Sequence, residues 1–305
     1  MPAPNAPLAP WLRPFQHPYL LLTLAVLFWS GNMVLGRAIR EDAPPIALAF
    51  WRWAIALALT LPLAWPHRAQ WPLLVKAWKP VLGLGLVGIG LYNTFAYISL
   101  SLTTATNAIL LNAFVPVATI ALSWAFLGKR LSRLEALGVL ISLLGVLLIV
   151  ARGDFANLAA LALHRGDLWM LGAVLSWAIY TVGLQWRPIG IDPMLLLAAM
   201  IAVGWLALFP AYAWELSTGR ERWMVLPVLA GVAYTGVFPG FLGYICYNRG
   251  VALVGPSRAS LFLHLMPVFG ILLSAALLGE RPQSFHFAAI ALIFAGIFLT
   301  TRYRR

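Results

Sequence analysis

The segment Phe126-Leu127-Gly128-Lys129-Arg130 returns almost unchanged as Leu277-Leu278-Gly279-Glu280-Arg281, 151 residues further along the chain. In the earlier part of each copy the two halves align at an offset of 148 residues, and a shift of three residues then gives the offset of 151. Because the matches keep their order and recur at equivalent places in the apolar runs, they indicate that the second half of the chain duplicates the first. The aligned pairs are Trp29 with Trp177, Pro45 with Pro193, Pro62 with Pro210, Pro116 with Pro267, Gly128 with Gly279, Arg130 with Arg281 and Gly145 with Gly296.

The composition predicts a membrane protein. Of the 305 residues, 62% are hydrophobic and 10% are charged. The apolar residues form runs of about twenty, and at about 1.5 Å of helix per residue each run is long enough to cross a hydrocarbon core of about 30 Å. The predicted spans are 18–36, 46–65, 80–99, 104–127, 132–150, 167–186, 193–214, 223–248, 256–278 and 284–302.

The duplication divides these spans into two units of five. Because five is odd, the second unit enters the membrane from the opposite side, an arrangement typical of secondary transporters. The predicted fold is an all-α membrane protein with ten transmembrane helices, built from two inverted five-helix repeats. Its predicted parts are a disordered cytoplasmic lead (1–17), the first repeat (18–150), a linker (151–166), the second repeat (167–302) and a cytoplasmic tail (303–305).

The charged residues indicate orientation rather than nucleic-acid binding. The net charge is +12, but the basic residues lie at the ends of the spans. Thirteen Lys or Arg residues fall on one side of the predicted topology and seven on the other, with Arg52 inside a span. The positive-inside rule therefore predicts an inner-membrane protein with both termini in the cytoplasm. We expect membrane lipid and a small-molecule substrate as partners, and no nucleic acid.

Six short segments of the spans form an ordered set that matches a known family pattern. They are Phe28-Trp29-Ser30-Gly31-Asn32, Phe50-Trp51-Arg52, Val115-Pro116-Val117, Leu127-Gly128-Lys129-Arg130, Met266-Pro267-Val268 and Leu278-Gly279-Glu280-Arg281. Through these segments the chain resembles the EamA branch of the drug/metabolite transporter superfamily over about residues 18–302. This resemblance implies an exporter of amino acids or other small metabolites, and the YddG-type members suggest aromatic amino acids. Lys129 departs from the family pattern, which usually has an acid there, as Glu280 does in the second copy.

Polar residues inside the spans mark candidate transport pathways, because polar groups are costly in lipid. Arg52 could bind a substrate carboxylate through its planar guanidinium, or it could serve as an architectural clamp on helix-end carbonyls. His264 could switch its protonation near neutral pH, or hold a backbone carbonyl that Pro267 frees. The candidate substrate-binding residues are Asn32, Arg52, Tyr92, Asn93, Tyr97, Asn107, Asn112, Trp177, Tyr180, Tyr244 and His264.

The third and eighth spans carry aromatic and amide stripes at helical spacing, together with several glycines. Tyr92, Asn93 and Tyr97 form the first stripe, and Tyr244 lies in the second. Such a wall suits a zwitterion with an apolar or aromatic side chain. The alternative is that the tyrosines belong to the interfacial belt and the glycines serve helix packing.

The acidic residues restrict the coupling mechanism. All nine fall in predicted loops or at helix ends, whereas ion-driven carriers commonly place a carboxylate at mid-membrane. This pattern disfavours coupling through a buried acid. It leaves facilitated diffusion, exchange or a proton step at His264.

Several other functions compete with amino-acid export. A nucleotide-sugar exchanger would need several convergent cations, and only Arg52 lies truly within a span rather than near its end. A membrane enzyme would need a nucleophile with a base, paired acids or a metal cluster, and the sequence contains no such motif. A structural membrane protein would explain the apolarity but not the duplication. We expect no enzyme activity, catalytic residue, metal or cofactor, and nucleobases or drugs remain alternative cargo.

Overall fold

Every regular element in the described part of the chain is a helix. A computed structural model describes residues 17–39, 44–103, 105–159, 164–217, 225–279 and 281–302. The predicted lead, apart from His17, and the predicted tail lie outside these ranges. The α-helices are α1 (Pro18–Ile39), α2 (Pro45–Ala64), α3 (Trp71–Lys76), α4 (Trp78–Gly85), α5 (Tyr92–Leu102), α6 (Ala105–Asn112), α7 (Val115–Leu127), α8 (Arg133–Val150), α9 (Ala156–Ala159), α10 (Arg165–Gly183), α11 (Pro193–Ser217), α12 (Leu226–Thr235), α13 (Gly243–Val254), α14 (Pro256–Leu261), α15 (Leu265–Leu278) and α16 (Ser284–Arg302).

The chain is a multi-pass integral membrane protein. Eight helical stretches in the described residues are long and apolar enough to cross a bilayer. A ninth apolar stretch, Pro18–Asn32 within α1, is shorter. Large apolar side chains such as Trp124, Phe126 and Leu206 are exposed, as lipid-facing residues are. The count of ten spans and the inverted duplication stay predictions. The eight stretches are Ile46–Lys76, Asn107–Leu127, Arg133–Val150, Arg165–Trp186, Pro193–Ser217, Val228–Val254, Pro256–Leu277 and Ser284–Arg302.

Local signals in the sequence explain where several helices begin and end. The Ser132 hydroxyl accepts a hydrogen bond from the N–H of Glu135, whose carboxylate accepts one from the N–H of Ser132, so a capping box starts α8. Gly128 ends α7 at φ 64°, and Gly279 ends α15 at φ 70°. These glycines are one of the aligned pairs, and the left-handed conformation explains why both copies have glycine there.

Two of the long helical stretches contain a π-helical segment. The first π segment (Leu86–Leu91) joins α4 to α5, and the second π segment (Gly236–Leu242) joins α12 to α13. Both lie in glycine-rich sequence, and the second contains Pro239, which has no N–H to donate. A π turn shifts the backbone hydrogen bonds by one residue and is frequent at functional sites.

The two halves contact each other through equivalent positions. Helices α8 and α16 pack closely, because a Cβ at Gly145 would collide with the backbone of Ala289 and the side chain of Ile293. A Cβ at Gly296 would collide with the backbone of Gly138 and Ser142. The 151-residue offset converts one set of contacts into the other: those of Gly145 with Ala289 and Ile293 become those of Gly296 with Gly138 and Ser142.

The ends of α2 and α11 contact each other in a similarly reciprocal way. Glu215, near the end of α11, accepts hydrogen bonds from the N–H groups of Ile46 and Ala47 at 3.2 and 2.6 Å, which caps the start of α2. His67, just after α2, lies 3.4 Å from the carboxylate of Asp192, just before α11. The 148-residue offset aligns His67 with Glu215, so the end of each helix reaches the start of the other.

Candidate functional site

Arg52 is a buried cation beside the second π segment, and it bonds to Asn93 on α5, two residues after the first. Its side chain is 4% exposed, and its stem passes the backbone of Gly240 in the second π segment. Its Nη1 donates to the amide oxygen of Asn93 at 3.3 Å, and its guanidinium lies 5.0 Å from the centroid of the Trp53 ring. Its Nε has no hydrogen-bond partner among the described residues. The charge is therefore held by one amide and one aromatic face, without a carboxylate among those residues.

Side chains from three helices hydrogen-bond to the first π segment. Ser176 donates to the carbonyl of Val87 at 2.6 Å, and Tyr244 donates to the carbonyl of Gly88 at 2.7 Å. Asn93 donates to the carbonyl of Ile89 at 2.9 Å. Asn93 thus links the backbone of this segment to Arg52.

The second π segment is bound from the other half of the chain. The indole N–H of Trp29 on α1 donates to the carbonyl of Pro239 at 3.0 Å, and the ring lies against the backbone of Gly243. A Cβ at Gly243 would come within 2.9 Å of the indole nitrogen, so glycine permits this approach. Each π segment therefore receives hydrogen bonds from the opposite half.

Aromatic side chains fill the space beside Arg52. Tyr244 is completely surrounded, and Trp177 contacts rings from both halves. These rings pack against one another and form one continuous cluster. The centroid distances are 4.9 Å for Trp53–Tyr244, 5.1 Å for Trp29–Trp177, 4.8 Å for Tyr92–Trp177, 5.3 Å for Trp177–Tyr180, 5.9 Å for Tyr180–Tyr244 and 5.1 Å for Trp29–Tyr247.

A polar cluster lies at one end of the bundle, around Asp167 near the start of α10. The carboxylate accepts hydrogen bonds from Thr103 at 2.6 Å, from Asn107 at 3.1 Å and from the N–H of His164 at 2.8 Å. The cluster joins the region between α5 and α6 to α10. We call Asp167, Thr103, Asn107 and His164 the Asp167 cluster.

An ion pair lies at the opposite end. Arg258 on α14 places Nη2 and Nε on one carboxylate oxygen of Glu135, at 2.6 and 3.0 Å. Helix α8 runs from Arg133 to Val150, about 27 Å for 18 residues, and the chain then enters α10 from the far end. At the 151-residue offset Asn107 aligns with Arg258, so equivalent positions bind a buried carboxylate at either end.

His264 occupies a separate network. It is 1% exposed, its Nε2 donates to the carbonyl of Ala113 at 3.1 Å, and its Nδ1 lies 2.8 Å from the Ser142 hydroxyl. Because a carbonyl only accepts, this geometry requires the proton on Nε2. Ala113 lies where α6 gives way to α7, so His264 binds a break in the other half of the chain rather than a carbonyl beside Pro267.

The structure brings about half of the candidate residues together. Arg52, Tyr92, Asn93, Trp177, Tyr180 and Tyr244 form one group, which we call the central group. Asn107 lies in the Asp167 cluster, and His264 lies in the network with Ser142. Asn32 and Asn112 are half-buried on α1 and at the end of α6, and the side chain of Tyr97 lies outside the described part.

Sequence reasoning missed several contributors. Trp53 and Tyr247 complete the ring cluster, and their positions one residue after Arg52 and three after Tyr244 could have indicated this. Sequence reasoning also left open that Glu135, Asp167 and Glu215 are buried, although all three lie at helix ends as predicted. Their burial depends on neighbouring helices, which no local pattern specifies.

Comparisons with known proteins agree on one family. The profile of the EamA-like transporter family matches residues 17–151 and 164–302. A Bacillus subtilis protein described as the uncharacterized transporter YyaM is 25% identical over 285 residues, covering 92% of both chains. An uncharacterized transporter of Archaeoglobus fulgidus is 26% identical over 286 residues, covering 93% of this chain and 96% of its own. A solved crystal structure at 21% identity superposes with a TM-score of 0.76, covering 93% of this chain and 96% of the other, and shares the fold.

Proposed function

Because this chain belongs to the EamA-like transporter family, we propose that it is a secondary transporter that exports small metabolites by alternating access. The proposed cargo is amino acids, aromatic or bulky apolar ones first. The observation that carries this proposal is Arg52, a buried cation that packs on the second π segment, bonds to Asn93 just after the first and lies over the Trp53 ring. Charged side chains at this depth mark substrate pathways, because lipid does not tolerate them elsewhere.

The proposed architecture is ten transmembrane helices in two inverted five-helix repeats, in the inner membrane with both termini cytoplasmic. The equivalent contacts that Gly145 makes with α16 and Gly296 makes with α8 support the repeats, because a two-fold axis between the halves exchanges these two positions. The reciprocal ends of α2 and α11 support them in the same way. In such folds, exchanging the conformations of the halves turns one access state into the other.

In this proposal, the central group binds the substrate. Arg52 pairs with the substrate carboxylate, and Asn93 holds the guanidinium in place. The rings of Tyr92, Trp177 and Tyr244 contact the substrate side chain after separating from one another. Tyr180 donates to Asn248 on α13 at 2.7 Å and transmits the ring movement to that helix. Asn32, Tyr97 and Asn112 are proposed to line the transport path outside the central group.

The two ends of the bundle provide the proposed gates. The Asp167 cluster holds one end closed, and the Glu135–Arg258 ion pair holds the other. Both sets of contacts are formed in this structure and the ring cluster between them is packed, which supports assigning it, in this proposal, to a state closed at both ends. Opening one gate at a time gives alternating access.

Facilitated diffusion or exchange accounts for transport without a mid-membrane carboxylate. A proton step at His264 is the second candidate, favoured by the hydrogen bonds that link this residue of the second half to Ser142 and Ala113 in the first half. Its hydrogen-bond partners can serve either protonation state, because the Ser142 hydroxyl also lies 2.9 Å from the Val139 carbonyl. An enzyme is disfavoured, since the relatives are described as transporters.

The test is a counterflow screen of amino acids in proteoliposomes, with and without a pH gradient. We expect vesicles loaded with phenylalanine or leucine to accumulate the labelled amino acid above protein-free vesicles, with the solute chemically unchanged. No accumulation of any amino acid would remove the cargo assignment. A chemically altered product would favour an enzyme.

A further inference from the structure

We infer that the central group recognises a single carboxylate attached to an aromatic body, and that the cargo needs no amino group. The preferred ligand class is therefore aromatic monocarboxylates, ahead of the zwitterionic amino acids. This inference rests on the transport function and the site proposed above, and it revises the order of cargo proposed there.

The first argument is charge balance. The buried guanidinium of Arg52 has one hydrogen bond, to Asn93, and an Nε without a partner in the described residues. A buried charge without a counter-charge is strongly unfavourable in a low-dielectric interior. A monoanion brings the net charge of the site to zero. A zwitterion leaves it at one positive charge, because the ammonium cancels the carboxylate.

The second argument concerns what an ammonium group would meet. The buried carboxylates Glu135, Asp167 and Glu215 lie at helix ends, each already bound to donors there. Among the described residues, none lies in the central group. The carbonyls of Val87 and Gly88 in the first π segment each accept one hydrogen bond already, from Ser176 and Tyr244, so an ammonium would find only their second lone pairs there.

The third argument is the shape of the surrounding surface. Trp53 presents its ring to the guanidinium of Arg52 and an edge contact to Tyr244, whose ring in turn contacts Trp177. A ring attached to a carboxylate by a short linker could pair with Arg52 and stack among these side chains. An aromatic body thus suits the site better than a polar one.

The test compares three probes that share one ring: 3-phenylpropionate, phenylalanine and phenethylamine. Each competes against counterflow of labelled phenylalanine in proteoliposomes, and each is scored by the shift it causes in the melting temperature of purified protein. We expect 3-phenylpropionate to compete about tenfold more tightly than phenylalanine and phenethylamine not to compete. Tighter competition by phenylalanine than by 3-phenylpropionate, or competition by phenethylamine, would overturn the inference.

Two variants separate a charge effect from a folding effect. Arg52→Gln removes the cation and should abolish the preference for the acid. Asn93→Asp keeps Arg52 and places a carboxylate within reach of its guanidinium, while losing the hydrogen bond to the Ile89 carbonyl. We expect 3-phenylpropionate to bind this variant at least tenfold more weakly, and its melting temperature without ligand shows whether it is folded. Asn157→Asp adds the same charge at an exposed helix end and should leave competition unchanged. Equal acid binding in wild type and Asn93→Asp would contradict the inference.

Failure of the inference is distinguishable from failure of the proposed function. If no amino acid exchanges but labelled 3-phenylpropionate does, the amino-acid assignment fails and the carboxylate assignment holds. If phenylalanine exchanges and 3-phenylpropionate neither competes nor shifts the melting temperature, the proposed function holds and the inference fails.

Discussion

Arg258 binds one carboxylate oxygen of Glu135 with two nitrogens, Nη2 at 2.6 Å and Nε at 3.0 Å. The other oxygen of Glu135 accepts the N–H of Ser132, so the same carboxylate caps α8 and ties it to α14. The side chains of Arg258 and Glu135 are 20% and 11% exposed, so salt screens their attraction less than it screens a surface ion pair. In the proposed mechanism, opening this end of the bundle requires breaking this ion pair.

Arg258→Gln should loosen this end. We expect a cysteine introduced at the half-buried Ser257, in a Cys246→Ser background, to react several-fold faster with a water-soluble maleimide when Arg258 is replaced. Arg249→Gln, which removes an exposed arginine from α13, is the matched control and should leave the rate unchanged. Equal rates in all three proteins would show that the ion pair does not restrict access.

Asp167→Asn should destabilise the opposite end. The substitution removes the negative charge of the carboxylate to which Thr103, Asn107 and the N–H of His164 donate hydrogen bonds. Hydrogen bonds to a charged group contribute about 1.5–3 kcal/mol each. We expect a clear drop in melting temperature. Asp154→Asn, which alters an exposed carboxylate that caps α9, should cause a much smaller drop. Similar drops would show that the Asp167 cluster adds little stability.

Tyr244→Phe keeps the ring packing and removes one hydroxyl. The carbonyl of Gly88 then loses its donor, and a buried unsatisfied acceptor costs about 1–3 kcal/mol. We expect a lower melting temperature than for Tyr212→Phe, whose hydroxyl accepts from Trp51 on a more exposed surface. If Tyr212→Phe is the more damaging variant, the π segment does not depend on Tyr244.

His264→Ala removes a side chain that bonds to Ser142 and to Ala113. Since Ser142→Ala removes one of the same bonds, we expect the losses of unfolding free energy in the double variant to be less than additive. Strict additivity would contradict the contact. In transport assays, a proton step at this residue requires that His264→Ala flatten the pH dependence. An unchanged pH profile would leave His264 structural.

Much of the helical fold could be predicted from the sequence, because length and apolarity decide which segments lie in a bilayer. The helix ends at Gly128 and Gly279 follow from glycine in a left-handed conformation. The π segments could not be placed. Glycine and proline weaken the regular hydrogen-bond pattern, but donors such as Tyr244 and Trp29, distant in sequence, determine which carbonyls are bound.

The candidate site was predictable only in part, for a similar reason. Arg52 stood out because a cation inside a span is rare, and the stripe with Tyr92 and Asn93 followed from helical spacing. The partner of Asn107 could not be identified, since Asp167 lies 60 residues away on another helix. Burial of helix-end acids depends on such packing between helices.

The most direct test of alternating access measures distances at both ends of the bundle in the same protein. Spin-label pairs at Arg133 with Arg249 and at Leu102 with Arg165, all exposed positions, report on the Glu135 end and the Asp167 end. We predict that Arg258→Gln lengthens only the first distance and Asp167→Asn only the second. Variants that lengthen both distances together, or neither, would contradict the account.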